Sequence, residues 1–364
     1  MKKDIIFFHP RILDDGCKKT LEVYTDHLVD KFNVHLITNT TDEKLLKNLN
    51  SKVKIINFKK EFIIKNFFLN EIYCAYKLFQ NNFKKSLIIS LDGYFILLLL
   101  KFFRFNFKLI VRVANPILTD KKNGKYLTTN PGLEIGKIDL IFLKYADLTI
   151  LYAPKFKSFL AKNYNIKNTV IIRNYFKKYK INKTNQKKKY CNIFFIGRLV
   201  NIKDPVFFLK NCIEISYYEN IKIHIVGKGP EYENLKLLAK KRFKIVKFHG
   251  FVKSPFKKFN KKIDIFCLTS RYDGTPNVLG EAISMKIPSI APKNIGCANE
   301  LLGNGDFGSL YKQNNSKDFK KKLTNIINNY NGAKRKAKKA YNALEKYNLE
   351  NTLQKLENKI LSFF

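Results

Sequence analysis

Residues 269–283, Thr-Ser-Arg-Tyr-Asp-Gly-Thr-Pro-Asn-Val-Leu-Gly-Glu-Ala-Ile, form a polar loop that turns at Asp273-Gly274 and runs straight into an apolar helix. Pro276 suits a first helical turn, where its missing N–H costs nothing, and Thr275 is positioned to cap that turn. The amides of Thr275, Asn277 and Val278 are then expected to point at one spot and to carry the positive end of the helix dipole. Such a helix start is an anion site. Two carboxylates frame it: Asp273 before the turn and Glu281 two helical turns in. A carboxylate repels phosphate but accepts hydrogen bonds from sugar hydroxyls. The stretch therefore predicts a pocket for a ligand bearing both groups, such as a nucleotide sugar.

Outward from this segment the chain alternates strand and helix. Apolar runs suited to parallel strands buried on both faces occur at Ile5–Phe8, Val34–Thr38, Leu87–Ser90, Lys108–Val113, Leu148–Leu151 and Val170–Ile172. Helical patterns at Lys18–Lys31, Phe67–Phe79 and Lys137–Tyr145 lie between several of them. This predicts one doubly wound α/β domain over 1–175. Residues 176–190 are basic, polar and without period, and read as an interdomain linker. A second α/β series follows over 191–345, with strands at Asn192–Ile196, Lys222–Val226, Ile245–His249, Ile263–Leu268 and Pro288–Ala291. Its helices are predicted at Asp204–Tyr217, Glu231–Lys240 and Asn277–Ser284, with more from Lys317 on. Residues 346–364 hold a last amphipathic helix, Glu350–Leu361, which is expected to pack back on the first domain.

Other chemistry in the second half falls at strand ends. Gly197-Arg198-Leu199 follows Asn192–Ile196, Lys203 comes next, and Asp204-Pro205 opens a helix with a cap and a first-turn proline. Glycine lets the backbone turn there. A guanidinium fork and an ammonium side by side suit a diphosphate. Gly227-Lys228-Gly229-Pro230 ends the next strand and reads equally as a phosphate cradle or a tight turn. His249-Gly250-Phe251-Val252 ends the one after, where its backbone suits a base pocket.

In order and spacing these motifs, together with Ser270–Ala282, resemble the C-terminal half of a GT-B fold glycosyltransferase, in particular family 4, the glycosyl transferases group 1. The resemblance covers about residues 190–310. It is looser in the N-terminal half, where the loop containing Gly16 leads into Lys18–Lys31. It implies two Rossmann-like doubly wound domains facing across a cleft. It further implies that Arg198, Lys203 and Asp273 are catalytic, the two cations on the donor diphosphate and Asp273 at the first acidic position of the family's Glu-x7-Glu motif. Gly197, Gly227, Val252, Gly274, Thr275, Pro276, Asn277, Val278, Leu279 and Glu281 are then donor-binding, with Glu281 on the ribose hydroxyls. Gly16, Arg112 and Asn115 stand on the acceptor side. The chain departs from the pattern in having Asp at 273, one methylene shorter than Glu, and Gly296-Cys297 where many members have Gly-Gly. It also has no His near Arg112-Val113-Ala114-Asn115.

Composition bounds the partners. The formal net charge of +40 is spread over scattered Lys residues, which points to compositional bias in origin, with attraction to an anionic membrane as a consequence worth roughly 1 kcal/mol per surface cation. Nucleic-acid binding would need basic residues interleaved with aromatics on one face and a recognisable module, neither of which is evident. The six Cys form no CxxC and read as reduced core residues of a cytosolic protein. The N-terminus does not read as a signal peptide, its apolar run being short and ending in His9-Pro10. Tyr94–Phe103 is too short to span a bilayer and reads as a core helix, with an interfacial helix as the alternative. No metal site and no Asp-x-Asp motif stand out.

The expectation is a retaining, metal-independent glycosyltransferase without cofactor. It would use a UDP- or GDP-linked sugar to extend a surface glycan on a lipid carrier, at the inner face of the cytoplasmic membrane. The alternatives are a catalytically weak homologue acting as a partner subunit, or a GT-B sugar-nucleotide epimerase.

Overall fold

The computed structural model describes residues 2–13, 16–57, 67–81, 83, 86–113, 140–152, 154–179 and 190–364. The chain divides into two compact units, Met1–Arg173 with Glu350–Phe364, and Asn174–Leu349.

The first unit runs β1 (Asp4–Phe8), α1 (Gly16–Leu28), β2 (Asn33–Ile37), α2 (Glu43–Leu46), β3 (Lys54–Ile56), α3 (Phe67–Gln80), β4 (Leu87–Ser90), α4 (Phe95–Phe102), β5 (Lys108–Arg112), β6 (Leu148–Leu151), α5 (Pro154–Tyr164) and β7 (Thr169–Ile171). Its seven strands are parallel in the order β3-β2-β1-β4-β5-β6-β7. Alternate residues of β1 feed two cores: Ile5 and Phe7 face one side, Ile6 and Phe8 the other. Burial on both faces is why these strands read as unbroken apolar runs. Asn115, assigned to the acceptor side from sequence, and Lys137–Asp139 at the start of the third helical pattern lie outside the described residues. Leu143–Tyr145 is a 3₁₀ turn.

The second unit runs β8 (Cys191–Ile196), α6 (Pro205–Ile215), β9 (Ile221–Val226), α7 (Tyr232–Ala239), β10 (Val246–Phe248), α8 (Pro255–Lys258), β11 (Ile265–Cys267), α9 (Asn277–Ser284), β12 (Ser289–Pro292), α10 (Ala298–Leu301), β13 (Ser309–Tyr311), α11 (Ser316–Asn328) and α12 (Tyr330–Ala343). Its six strands are again parallel, ordered β10-β9-β8-β11-β12-β13. The start of the stretch read as a linker belongs to this unit's core. Phe176 is buried against Tyr347 and lies so close to Gly280 that any Cβ there would sit 2.1 Å from its ring.

The last helix, α13 (Leu349–Leu361), sends Leu353, Leu356 and Ile360 into the first unit's core beside α1. The spacing is one helical face. Glu357 on this helix accepts from Lys31 (2.5 Å) and faces His27 Nε2 (2.9 Å). The Lys31 hydrogen bond, then that of His27, holds its carboxyl below the usual 4.5, against the opposing pull of desolvation. A depressed carboxyl stabilises the fold fully above its ordinary pKa and loses that contribution as pH falls through the lowered one. Glu357→Gln is therefore expected to lower the unfolding temperature at neutral pH, with the gap to wild type closing as the pH drops below about 4.5. Thermal melts across a pH series check this; a gap that persists at low pH would place the cause elsewhere.

Candidate active site

In each sheet the strand order reverses direction at one place, between β1 and β4 and between β8 and β11. Loops leaving the carboxyl ends of the strands there diverge and open a crevice, the usual ligand site of doubly wound sheets. In the second unit those loops carry Gly197–Asp204 from β8 and Leu268–Asn277 from β11.

The first loop is tied to its neighbour through the backbone. Gly197 N–H donates to Val226 (3.0 Å), Leu199 N–H to Lys228 (2.9 Å) and Glu231 N–H to Leu199 (3.0 Å). Gly227 makes this approach possible. Its φ is +146°, and a Cβ there would stand 1.8 Å from the Gly197 carbonyl oxygen. Gly227 N–H also donates to Gly250 (2.8 Å), which draws in the loop carrying Val252, itself partly buried against the core.

The loop then makes a 3₁₀ turn over Asn201–Lys203 and enters α6 through Asp204, held at φ 49° and ψ 54°. Asp204 does what its position predicts. Its Oδ1 accepts from Phe207 N–H (3.1 Å) and caps the helix. The other oxygen accepts from Arg271 Nε (2.7 Å). The Thr269 hydroxyl is shared between the carbonyls of Lys203 (3.1 Å) and Asp204 (3.0 Å), and Arg271 N–H donates to Ile202 (2.9 Å). Segment 269–271 thus clamps the 202–204 corner, and this non-glycine left-handed residue persists because several contacts hold it.

The clamp brings Lys203 onto Asp273. The ammonium donates to Asp273 Oδ2, and the Ser270 hydroxyl donates to the same oxygen (3.4 Å). The Asp273 side chain is 10% exposed and that of Lys203 21%. This ion pair is largely withdrawn from water, and its attraction is screened less than in an open surface pair. Arg198 is not brought to it: its side chain is exposed and has no partner among the described residues.

The helix start differs from the sequence reading in two respects. Pro276, at φ −71° and ψ 82°, occupies the cap position rather than the first turn, and no side chain caps α9. Thr275 is no cap; its hydroxyl is buried and lies against the Cys297 thiol. The physical cause is Gly296 at φ +47°, packed so closely that a Cβ would lie 1.9 Å from the Gly274 carbonyl oxygen and 2.4 Å from that of Asp273. The 273–275 corner is pressed against residues 296–297, and Thr275 turns inward. Burial pushes the Cys297 thiol up to about 12, so it stays protonated and inert.

The amides of Asn277 and Val278 remain the first two of α9, with no carbonyl one turn back to receive them. Asn277 Oδ1 accepts from Asn174 (2.8 Å), and Val278 packs partly against the core. Leu279, counted from sequence among the donor-binding residues, is a core residue: its side chain is fully buried and its amide donates to Pro276 (2.9 Å). Glu281 is half-buried on the same helix.

In the first unit, Gly16 is the exposed first residue of α1. Arg112 is buried at the end of β5 with its guanidinium against the Tyr24 hydroxyl. Sequence reasoning passed over His9. It leaves the carboxyl end of β1, at this sheet's reversal point, buried with neither ring nitrogen hydrogen-bonded among the described residues. Burial lowers its pKa to about 4, so it is a neutral imidazole at neutral pH, able to both donate and accept. Its one advance signal was a polar residue directly ending an apolar strand. Among the described residues no three His, Cys, Asp or Glu side chains gather into a metal site.

Residues 176–343 match the family of glycosyl transferases group 1. The region of resemblance, about residues 190–310, falls inside this match. Over 232 residues the chain is 31% identical to an uncharacterized glycosyltransferase of Methanocaldococcus jannaschii, covering 56% of this chain and 54% of the relative. Over 141 residues it is 30% identical to the GalNAc-alpha-(1->4)-GalNAc-alpha-(1->3)-diNAcBac-PP-undecaprenol alpha-1,4-N-acetyl-D-galactosaminyltransferase of Campylobacter jejuni, covering 38% and 39%. The chain thus spans about half the length or less of these curated relatives. Among solved structures, HepE of Anabaena in complex with UDP superposes with a TM-score of 0.77 at 16% identity, covering 100% of both chains. Such a likeness establishes the fold, which is GT-B, with two parallel-sheet α/β units.

Proposed function

We propose that this chain, residues 176–343 of which match the glycosyl transferases group 1, is a retaining glycosyltransferase that needs no metal and moves a sugar from a nucleotide donor onto a lipid-linked glycan. The observation that carries the reading is the Lys203–Asp273 ion pair at the reversal point of the second sheet, next to the uncapped start of α9. In this arrangement the two charges satisfy each other. An incoming diphosphate offers Lys203 more negative charge than one carboxylate does, and the amides of Asn277 and Val278 add the helix dipole. Lys203 then turns to the diphosphate, Asp273 faces the sugar, and Glu281 accepts from the ribose hydroxyls.

As the anomeric C–O bond breaks, the sugar becomes cationic and a further negative charge develops on the departing diphosphate. Lys203, once turned to the diphosphate, and the helix start are donors aimed at that charge, so they favour the transition state over the bound donor. The acceptor oxygen attacks from the leaving-group face, and its proton passes to the departing phosphate oxygen. The UDP held by HepE supports a uridine or similar nucleotide, and the undecaprenol-linked name of the Campylobacter relative supports a lipid-carried acceptor. The net charge of +40 supports a peripheral position at an anionic membrane face. No helix among the described residues is long and apolar enough to cross a membrane.

The reading is tested by titrating the purified protein with UDP-, GDP- and ADP-sugars, with and without chelator, following thermal stability. Stabilisation by one of them, indifferent to chelator and lost in Glu281→Ala, is expected. A folded protein stabilised by none would overturn it.

A further inference from the structure

The first unit carries an exposed aromatic surface that its sheet does not require. α3, α4 and the turn at Leu143–Tyr145 lie side by side on one face of the sheet. Leu97 and Leu98 of α4 are fully buried, as a core helix requires, but the apolar character continues outward past its end. Ile72, Tyr76, Phe102, Phe103, Phe105 and Ile141 are between 42% and 63% exposed. They belong to one surface: Phe102 packs on Phe103 (5.1 Å) and on Phe142 (5.5 Å), the neighbour of Ile141, while Phe105 packs on Phe79 (5.2 Å), one turn from Tyr76 on α3. A contiguous exposed patch of this kind marks an interaction site.

Its charges identify the partner. Arg104 and Lys144 are exposed among the rings, with Lys144 over Tyr145. The described parts of these segments offer no free carboxylate. Glu71 is buried and accepts from Ile96 N–H (3.1 Å), and Asp147 is held by Lys101 (3.0 Å) and Lys108 (3.6 Å). Two copies meeting through this face would set cations against cations. An anionic lipid surface complements both features, since aromatic rings settle at the headgroup boundary and Arg and Lys reach the phosphates.

We propose that the face formed by α3, the end of α4 with residues 103–105, and residues 141–145 seats the protein on anionic phospholipid. This rests on the membrane position put forward above and gives it a surface. Each cation at such a face is worth roughly fivefold in partitioning, and each inserted aromatic ring about tenfold or more.

The test is co-sedimentation of the full chain with vesicles of phosphatidylcholine alone or mixed with phosphatidylglycerol. Wild type is expected to bind the mixed vesicles. Phe103→Ser with Phe105→Ser, and separately Arg104→Glu with Lys144→Glu, should each weaken binding by at least about tenfold with unchanged thermal midpoints. Lys240→Glu with Lys241→Glu makes the same charge change on exposed positions of the second unit and is expected to weaken it by less than about threefold. Equal losses from both charge reversals would overturn the patch in favour of diffuse attraction. Undiminished binding by the Ser variant would overturn it too. Self-association without vesicles, lost in the Ser variant, would make the partner a second copy. No binding by wild type would overturn the membrane position itself, and leave the donor titration to decide the transferase reading independently.

Discussion

Lys203→Ala is expected to lower kcat/KM for sugar transfer by roughly a thousandfold, the scale of losing one fixed donor to developing charge. Two effects add. On the proposed reading the diphosphate loses its ammonium, and Asp273, 10% exposed, keeps a carboxylate with no cation beside the proposed phosphate position. The second effect separates from the first in Lys203→Ala with Asp273→Asn, which should recover much of the donor binding while turnover stays low. Lys203→Arg should recover only part of the rate, because a planar fork does not reproduce a point charge at the same spot. Steady-state kinetics with the donor found by titration measures this. A Lys203→Ala variant that keeps more than about a tenth of the wild-type value would remove Lys203 from the chemistry.

The second large effect is conformational. Gly296→Ala is expected to destabilise the second unit by roughly 3–5 kcal/mol and to abolish donor binding in whatever remains folded. The added Cβ would meet two backbone oxygens, at 1.9 and 2.4 Å, from a residue already at φ +47°. No side chain can swing aside to relieve the clash. The loop carrying Asp273 must move instead, and with it the Lys203 contact and the turn into α9. Denaturant melts together with donor titration check both halves. Near-wild-type stability would show that the 273–274 corner can yield, and that its position is not fixed from behind.

Much of this was legible along the chain. Strands such as Leu87–Ser90 and Leu148–Leu151 appear as read, because burial on both faces of a parallel sheet writes an apolar run that needs no knowledge of its neighbours. The Asp204-Pro205 cap of α6 depends on contacts a few residues away and appears as read, whereas at α9 only the helix boundary at Asn277 does, its cap being decided from elsewhere. Missed were β3 and β13, three-residue edge strands that carry neither a run nor an alternation long enough to register. The basic texture of 176–190 hid Phe176, whose burial is decided by α9, roughly a hundred residues on.

The sequence by itself determined the parallel α/β architecture, the likeness of residues 176–343 to the glycosyl transferases group 1, and the polar motifs that close its strands. Tertiary structure alone decided what those residues do to one another. Lys203 and Asp273 stand 70 positions apart and were assigned separate tasks, one for phosphate and one for sugar. Only the order β8-β11 puts their loops side by side, and only the Asp204–Arg271 and Thr269 contacts aim one side chain at the other. Thr275 likewise had the chemistry of a cap, but the corner before it is pressed against a glycine twenty-one residues later and the side chain turns inward. Periodicity and turn chemistry are set by neighbours within a turn or two, and so are written locally. Which loops meet is set by strand order, and no local pattern encodes it.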